Sequence, residues 1–290
     1  MTSITVMTFN IWSDGEAGGQ PLSQTAEVIR AAGADLVGLQ EASKAAQRIA
    51  DMLGWHCVTQ GGGRAIISRF PLVDVTPGRR GVKVQISDER AAYHFNTHLA
   101  PAPYQPYQLL NIAYGDWPFV DGEAQAVAAA TAARGAEVAA LLEEIAAACA
   151  AEHAAGAAGS LQDVSVFVTG DFNEPSHLDW THAAADAGLH PLKVAYPSTS
   201  SFAAAGFVDA YRSKYPDEVA HPGHTWTPTT AADDPADHHD RIDLILHRGR
   251  GVTVNDVHIV GEDCDHADKV VSPYPSDHRA VMARYVLSSH

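Results

Sequence analysis

The stretch DVSVFVTGDFNEP, Asp163–Pro175, carries information on both the fold and the chemistry of the chain. Its first half is a run of β-branched and aromatic residues, which predicts a short buried strand. The strand ends directly in Gly170, Asp171 and Asn173, so that a carboxylate and a carboxamide lie at its C-terminal end. The same residue types favour turns for backbone reasons, so this stretch alone leaves a turn and a ligand site equally open.

Polar side chains recur at the ends of apolar strands or in the turns that follow them, and they come from six separate segments. They are Asn10, Glu41, His98, Asp171, Asn173, Asp243, Asp277 and His278. Turn preferences explain any one of these residues but do not readily explain carboxylates, carboxamides and imidazoles supplied by six segments. Oxygen-rich sets without cysteine are typical of sites for hard cations, so the sequence predicts a metal site with two histidines beside it.

The order of predicted elements changes along the chain. A first strand, Ile4–Ile11, is followed by the predicted helices Gln24–Ala32 and Lys44–Leu53, with a strand between them. This alternation is compatible with a parallel α/β sheet. From Trp55 to His98 short strands follow one another with turns between them, which indicates antiparallel pairing.

Three later segments have distinctive compositions. Tyr104–Asp121 is rich in Tyr, Pro, Trp and Gln and is interpreted as an ordered surface insertion at the rim of a site. Glu123–Ala158 is Ala-rich and predicts a helix packed on a sheet, with Glu143, Glu144 and Glu152 on its outer face. The loop Pro222–Asp240 is dense in His and Asp and invites interpretation as a metal site. It lacks a tight zinc pattern, so a solvated loop is favoured.

Composition narrows the classes of function. The 290 residues carry a formal net charge of −16, which argues against the basic surface of a typical nucleic-acid-binding protein. The ligand is therefore expected to be small, or a bound metal is expected to reverse the local charge. The three cysteines form no CxxC pair and are expected to be reduced thiols. We also expect a soluble cytoplasmic protein, because neither a signal peptide nor a transmembrane segment is recognisable.

Seven short segments, in order from Thr8 to His278, resemble the endonuclease/exonuclease/phosphatase superfamily, to which pancreatic-type deoxyribonuclease and sphingomyelinase belong. They are TFNIW, LQE, ISRFP, NTHL, GDFN, RIDLIL and SDH. The resemblance implies an α+β fold, namely a four-layer α/β/β/α sandwich of two mixed β-sheets packed face to face, with helices outside. It implies a single domain over residues 1–290.

The resemblance also implies roles for individual residues. A divalent metal, Mg²⁺ or else Mn²⁺ or Ca²⁺, is expected at Asn10, Glu41 and Asp277, and whether one or two ions act is open. Asp171 is expected to orient or deprotonate the attacking water, and Asn173 to hold a phosphoryl oxygen. Two imidazoles are expected to contact the phosphate and stabilise its developing charge: His98 and His278. Asp243 is expected to fix the ring of the second imidazole; it is preferred to Asp240 because it lies further into the strand, in the family's register.

The predicted activity is divalent-metal-dependent hydrolysis of a phosphoester by in-line water attack, with a small or lipid-derived diester or monoester as substrate. A metal-dependent endo- or exonuclease is the alternative, and a catalytically dead binding protein is disfavoured because no catalytic position is missing. Aromatic and imidazole side chains of the two insertions are candidates for substrate contact, although they could equally pack the loops. They are Tyr104, Tyr107, Trp117, His224 and Trp226. The oligomeric state is open.

Overall fold

The computed structural model describes residues 2–156 and 159–288, and its framework is a pair of mixed β-sheets. In chain order the strands are β1 (Thr2–Asn10), β2 (Leu36–Gln40), β3 (His56–Gly61), β4 (Arg64–Ser68), β5 (Leu72–Val75), β6 (Gly81–Ser87), β7 (Arg90–His98), β8 (Val166–Asp171), β9 (Val208–Asp209), β10 (Asp243–Arg248), β11 (Val252–Gly261), β12 (Lys269–Val270) and β13 (Ala280–Leu287). The first sheet has seven strands in the order β12-β11-β13-β1-β2-β4-β3. The second has six in the order β5-β6-β7-β8-β10-β9.

The helices lie between these strands. They are α1 (Trp12–Gly15), α2 (Leu22–Ala32), α3 (Ala45–Leu53), α4 (Gln105–Leu110), α5 (Glu123–Ala154), α6 (His182–Asp186), α7 (Pro197–Ala204) and α8 (Ala210–Lys214). Both α2 and α3 end at a left-handed glycine, Gly33 with φ of 66° and Gly54 with φ of 71°, a conformation that glycine adopts without a steric penalty. Among the helices in the described ranges, none combines the length and the apolarity needed to cross a membrane.

The four layers follow from the alternation of side chains along the strands. In β8, Val166 and Val168 pack outward with Leu141 of α5, whereas Phe167 faces the space between the sheets. The core between the sheets joins residues of both, for example Val6 of β1 and Val84 of β6. Helices α2 and α3 cover the outer face of the first sheet. The predicted α/β/β/α sandwich is therefore confirmed.

The pairing of the strands brings their polar ends to one edge of the sandwich. Strands β1 and β2 are parallel, so their C-terminal residues Asn10 and Gln40 are paired. Strands β7 and β8 are also parallel and pair His98 with Asp171. Antiparallel β10 begins opposite the same aspartate, which pairs with Asp243. The end of each sheet therefore supplies polar groups to a common region.

Several details differ from the sequence-based expectations. The insertion after Pro103 contains the helix α4, and α7 has no counterpart among the predicted elements. Helix α5 is described to Ala154, and the last two residues of the predicted helix, 157 and 158, lie outside the described residues. Glu144 and Glu152 do not lie on a solvated outer face. Their side chains pair with Arg80 and Lys83 of the sheet region, at 2.9 Å and 2.7 Å.

Candidate active site

Asp171, at the end of β8, is the residue on which the polar groups converge. Its Oδ2 atom accepts a hydrogen bond from the Asn10 side chain at 3.0 Å. The Nε2 atoms of His98 and His278 lie 3.5 Å and 3.7 Å from the same oxygen. Asp171 is 1% exposed, so these partners compensate a carboxylate that is removed from water. The structure thus brings together four of the predicted residues around one oxygen atom.

His278 is held between two carboxylates. Its Nδ1 lies 2.9 Å from Oδ2 of Asp243, and its Nε2 faces Asp171. Burial alone would disfavour a charged imidazole, but attraction to Asp243 and Asp171 outweighs it and raises the pKa of His278 to about 10. Burial also raises the pKa of Asp243, against the opposing pull of His278. The pair therefore presents a cationic imidazole whose Nε2–H points into the site.

Asp277 and Glu41 form the acidic side of the site. Burial raises the pKa of Asp277 to about 6, and the nearby Glu41 carboxylate adds to the rise. The Oδ1 atom of Asp277 is buried and has no hydrogen-bond partner among the described residues. An orphaned buried carboxylate oxygen beside a second carboxylate fits a hard divalent cation, which would compensate both charges. The donor set therefore suits the divalent metal that the resemblance implies.

The Asn10 side chain connects the carboxylates of the site. Its Nδ2 atom donates to Asp171 and to Glu41, the latter at 3.3 Å, while its Oδ1 accepts the backbone N–H of Trp12 at 3.1 Å. The role of Asn10 as a metal ligand stays a prediction, since an amide oxygen that accepts one hydrogen bond keeps a second lone pair. Because its amide nitrogen faces two carboxylates, Asn10 bridges them and fixes their separation.

The short element α1 is not a regular α-helix but a left-handed turn, and it holds Glu41 in place. The four residues Trp12–Gly15 all have positive φ angles, of 54°, 49°, 61° and 72°, and Glu41 itself has φ of 57°. The backbone N–H groups of Ser13 and Asp14 donate to Oε2 and to the carbonyl of Glu41, both at 2.7 Å. Such a conformation is costly for residues other than glycine and persists only where the surroundings enforce it. The turn thus fixes the carboxylate next to the predicted metal position.

Asn173 lies directly after Asp171 in a tight turn. It also has a positive φ, 48°, and its backbone N–H donates to Oδ1 of Asp171 at 2.8 Å. Its side-chain Nδ2 donates to the carbonyl of Leu99 at 3.0 Å. A primary amide carries two N–H groups, so the second remains able to donate to a substrate oxygen. The arrangement is compatible with the role predicted for Asn173.

The predicted substrate-contacting aromatics occupy different positions. Trp226 lies beside the site, with its ring centre 6.3 Å from that of His278. Tyr104 and Tyr107 are 4% and 7% exposed and pack edge-on or tilted against Trp226, and their hydroxyls donate to Asp240 and Asp237. Both rings are buried and support Trp226, and their role as substrate contacts stays a prediction.

The remaining candidates are Trp117 and His224. Trp117 is 49% exposed on the insertion, near the exposed Phe119. Burial and neighbouring imidazoles lower the pKa of His224 to about 3, so this side chain is a neutral group packed within its loop. The loop Pro222–Asp240 is mostly exposed over residues 229–236, as predicted, whereas Thr225 near its start and Asp240 at its end are buried.

Three supporting residues were not identified from the sequence. Thr225 Oγ1 accepts the backbone N–H of Asp243 at 3.1 Å, and Ser276 Oγ donates to the carbonyl of Asn10 at 2.7 Å. Arg241 is buried and pairs with Asp179 and Asp209 at 2.9 Å and 2.8 Å. The segment RIDLIL signals this arginine, but its partners come from distant positions that only the fold reveals.

Comparisons with known proteins agree with this geometry. The family model described as Endonuclease/Exonuclease/phosphatase family matches residues 7–278. The Caenorhabditis elegans protein described as "Uncharacterized protein F14F9.5" is 29% identical over 302 residues, which cover 97% of this chain and 91% of that protein.

Solved structures of low sequence identity share the fold. An endonuclease/exonuclease/phosphatase from Beutenbergia cavernae has a TM-score of 0.57 and 17% identity, covering 100% of this chain and 72% of that one. D. rerio TDP2 complexed with single strand DNA product has a TM-score of 0.55 and 18% identity, covering 98% and 99%. The human Nocturnin catalytic domain with bound sulfate anion has a TM-score of 0.54 and 17% identity, covering 99% and 95%.

Proposed function

Because the chain belongs to the endonuclease/exonuclease/phosphatase family, whose members are metal-dependent phosphoester hydrolases, we propose that it hydrolyses a small or lipid-derived phosphodiester with Mg²⁺. The observation that carries the proposal is the convergence of Asn10, His98 and His278 on one oxygen of Asp171. A single carboxylate with one amide donor and two nearby imidazoles is suited to orient a water molecule and take its proton.

The roles follow from the positions of the side chains. Asp171 orients the attacking water, and the cationic His278 donates its Nε2–H to a phosphoryl oxygen as negative charge develops. His98 and the free amide N–H of Asn173 bind further phosphoryl oxygens. Glu41 and Asp277 would hold the divalent cation, which supplies charge neutralisation on the phosphoryl group when bound.

The choice of a small substrate rests on electrostatics. A net charge of −16 opposes the approach of a long polyanion, whereas a single phosphodiester needs only the local cation and the two imidazoles. Trp226 and the exposed Trp117 offer apolar surface for the organic part of such a substrate. Hydrolysis of a phosphomonoester would use the same side chains, so it is measured separately from hydrolysis of the diester.

A nuclease is the second candidate, and one observation favours it. D. rerio TDP2, which shares this fold, was solved with a single-strand DNA product. Nicking of plasmid DNA by the pure protein in Mg²⁺, abolished in His278→Ala, would replace the small diester by nucleic acid as the substrate.

The test compares hydrolysis of bis-p-nitrophenyl phosphate and p-nitrophenyl phosphate with Mg²⁺, Mn²⁺, Ca²⁺ or EDTA. We expect metal-dependent cleavage of the diester and a loss of about 100-fold or more in Asp171→Ala. Asp74→Asn, which removes an exposed carboxylate of β5, is the control that should leave the rate unchanged. Cleavage of the monoester alone would move the substrate to sugar or inositol phosphates, and cleavage of neither would contradict the proposal.

A further inference from the structure

A second group of potential metal ligands lies next to the strand pairing of Trp226 and takes no part in the proposed hydrolysis. His190 belongs to the segment that follows α6, whereas His238 and Asp240 end the loop Pro222–Asp240. One atom from each of the three lies within 4.8 Å of the other two. The group is therefore assembled from two segments separated by almost fifty residues, which is why no spacing in the sequence revealed it.

The distances within the group approach those of a coordination sphere. His190 Nδ1 and His238 Nε2 are 3.1 Å apart, and His238 Nε2 is 3.9 Å from Oδ1 of Asp240. Ligands at about 2.0–2.1 Å from a tetrahedral zinc are separated by roughly 3.3 Å. A small closing movement of Asp240 would therefore complete three corners of a tetrahedron, with the fourth open to water.

The ligands are held from behind by specific contacts. The ring of His190 stacks on Trp180 with ring centres 4.2 Å apart and an angle of 13° between the planes. Trp180 Nε1 donates to Oδ1 of Asp240 at 2.9 Å, and the Tyr104 hydroxyl donates to Oδ2 at 2.7 Å. Each carboxylate oxygen keeps a further lone pair. Outer contacts of this kind orient metal ligands in known sites.

The three ligands differ in their exposure. Both histidines of the group remain partly exposed, which gives an ion a route of entry. Only the carboxylate is fully enclosed, with Asp240 2% exposed.

We propose that His190, His238 and Asp240 form a zinc site that is separate from the catalytic metal site. Two imidazole nitrogens and one carboxylate oxygen suit Zn²⁺, whereas Mg²⁺ prefers oxygen ligands throughout. The ion would join the Pro222–Asp240 loop to the segment after α6. Asp240 pairs through its backbone with Trp226, which in turn pairs with His278. A zinc ion at this site would therefore stabilise the backbone next to the catalytic His278.

The experiment measures zinc retained by the whole protein. The protein is stripped with EDTA, loaded with ZnCl₂ and dialysed against buffer with excess Mg²⁺, after which zinc is measured by mass spectrometry. We expect about one zinc per chain in the wild type, consistent with one three-ligand site. His190→Gln and His238→Gln should each lose it. His182→Gln, which changes an exposed histidine of α6, is the matched control and should retain it.

Glu41→Gln separates the two metal sites, because it removes a carboxylate of the catalytic site and leaves the zinc ligands intact. Zinc retained in Glu41→Gln but lost in His190→Gln supports the proposal. Zinc lost in Glu41→Gln, or unchanged in both histidine variants, would place the ion elsewhere and overturn it. Absence of zinc from the wild type would reduce the group to a hydrogen-bonded histidine pair, whatever the variants do.

Thermal unfolding gives a second measurement that does not depend on catalysis. Zinc at about a hundredfold excess over its dissociation constant should raise the wild-type Tm by about 5 °C. His238→Gln should show no such rise, while its Tm without zinc reports whether the variant is folded. An equal rise in wild type and variant would contradict the assignment.

Discussion

At the scale of single residues, the buried pair of Asp243 and His278 determines the charge in the site. Asp243→Asn keeps the shape of the side chain but removes the charge that favours a protonated imidazole. We expect kcat/KM for the diester to fall about 100-fold. The pKa of His278 should fall as well, so the alkaline limb of the pH–rate profile should move toward neutral pH. An unmoved alkaline limb would show that Asp243 acts only by packing.

Glu41 gives a second prediction at this scale. Glu41→Gln removes one of the two carboxylates that suit the cation. It keeps the length of the side chain and an oxygen that can accept the hydrogen bond from the Ser13 N–H. The Mg²⁺ concentration for half-maximal activity should rise at least about tenfold, consistent with the effect expected for a lost charged ligand. A Mg²⁺ titration of diester hydrolysis measures this. Glu27→Gln, on the exposed face of α2, serves as the control. Full activity of Glu41→Gln at low Mg²⁺ would refute the assignment.

The residues around Asp171 could be predicted from the sequence, but the directions of their side chains could not. Strand-end position and the ordered motifs indicate that Asn10 and Asp243 belong to the site. Which atom of the Asn10 amide faces the carboxylates depends on a hydrogen bond to Trp12 that exists only in the folded turn. The environment of Tyr104 could not be predicted for the same reason, because the carboxylate that accepts its hydroxyl hydrogen bond lies more than a hundred residues away in the sequence.

At the scale of elements, the two sheets approach each other closely at Gly38 of β2. A Cβ atom at this position would lie 2.0 Å from Thr169 Oγ1 and 2.4 Å from Asn96 Oδ1 of the opposite sheet. Gly38→Ala should therefore lower the free energy of unfolding by about 1–3 kcal/mol, because the buried, hydrogen-bonded side chains of Thr169 and Asn96 have no space to move into. Denaturant unfolding measures the change.

Gly135→Ala is the comparison for that experiment. Its Cβ would lie 3.3 Å from the methyl group of Thr131, an exposed side chain on the same helix that can give way. Here the free energy of unfolding should rise by about 0.5–1 kcal/mol, since alanine favours the interior of a helix. A similar loss in both variants would show that the effect at Gly38 does not come from the contact between sheets.

Helix α5 shows how far composition can predict an element. The Ala-rich stretch predicts a helix, and the structure has one over Glu123–Ala154. The environment of its glutamates was predicted wrongly, because Glu144 pairs with Arg80 across the helix–sheet contact and also accepts from the Thr76 hydroxyl. Alanine on most faces of a helix gives little indication of which face is buried.

At the scale of the whole molecule, the prediction of one domain over residues 1–290 can be tested through cooperativity. The core between the sheets contains side chains of both, so neither sheet keeps its buried face without the other. We expect circular dichroism and tryptophan fluorescence to report a single coincident unfolding transition. Separate transitions would divide the chain into domains.

The resemblance to the family made the overall architecture predictable. The contacts between distant side chains could not be predicted, because they depend on the register between strands and on the packing of the loops. Seven short motifs suffice to predict two sheets, because each marks a strand end that the fold requires. The group of His190, His238 and Asp240 has no such motif. Its members become neighbours only through the packing of the segment after α6 on the Pro222–Asp240 loop, which is a tertiary contact without a sequence pattern.

The buried and neutral His94 should make the free energy of unfolding depend on pH. His94 is fully buried between the sheets, where its Nε2 lies 2.8 Å from the Thr169 hydroxyl, and burial lowers its pKa from 6.5 to about 3. The unfolded chain binds a proton at His94 below pH 6.5 and the folded chain does not, so the stability from this residue is present above pH 6.5 and is lost as pH falls toward 3. The contribution amounts to about 1.4 kcal/mol per pH unit below that point.

The measurement compares urea unfolding of the wild type, His94→Gln and the exposed-site control His56→Gln between pH 7 and pH 5. Subtracting His94→Gln from the wild type isolates this residue from other titrating groups, among them Asp277, whose raised pKa acts in the opposite direction. The variant should be less stable at pH 7, because a well-packed ring is lost, yet its free energy of unfolding should decline less steeply as the solution is acidified. His56→Gln should follow the wild type throughout. If the free energies of unfolding of His94→Gln and the wild type declined in parallel with pH, His94 would be taking up its proton in the folded state. A charged imidazole would then be tolerated between the sheets, contrary to the prediction.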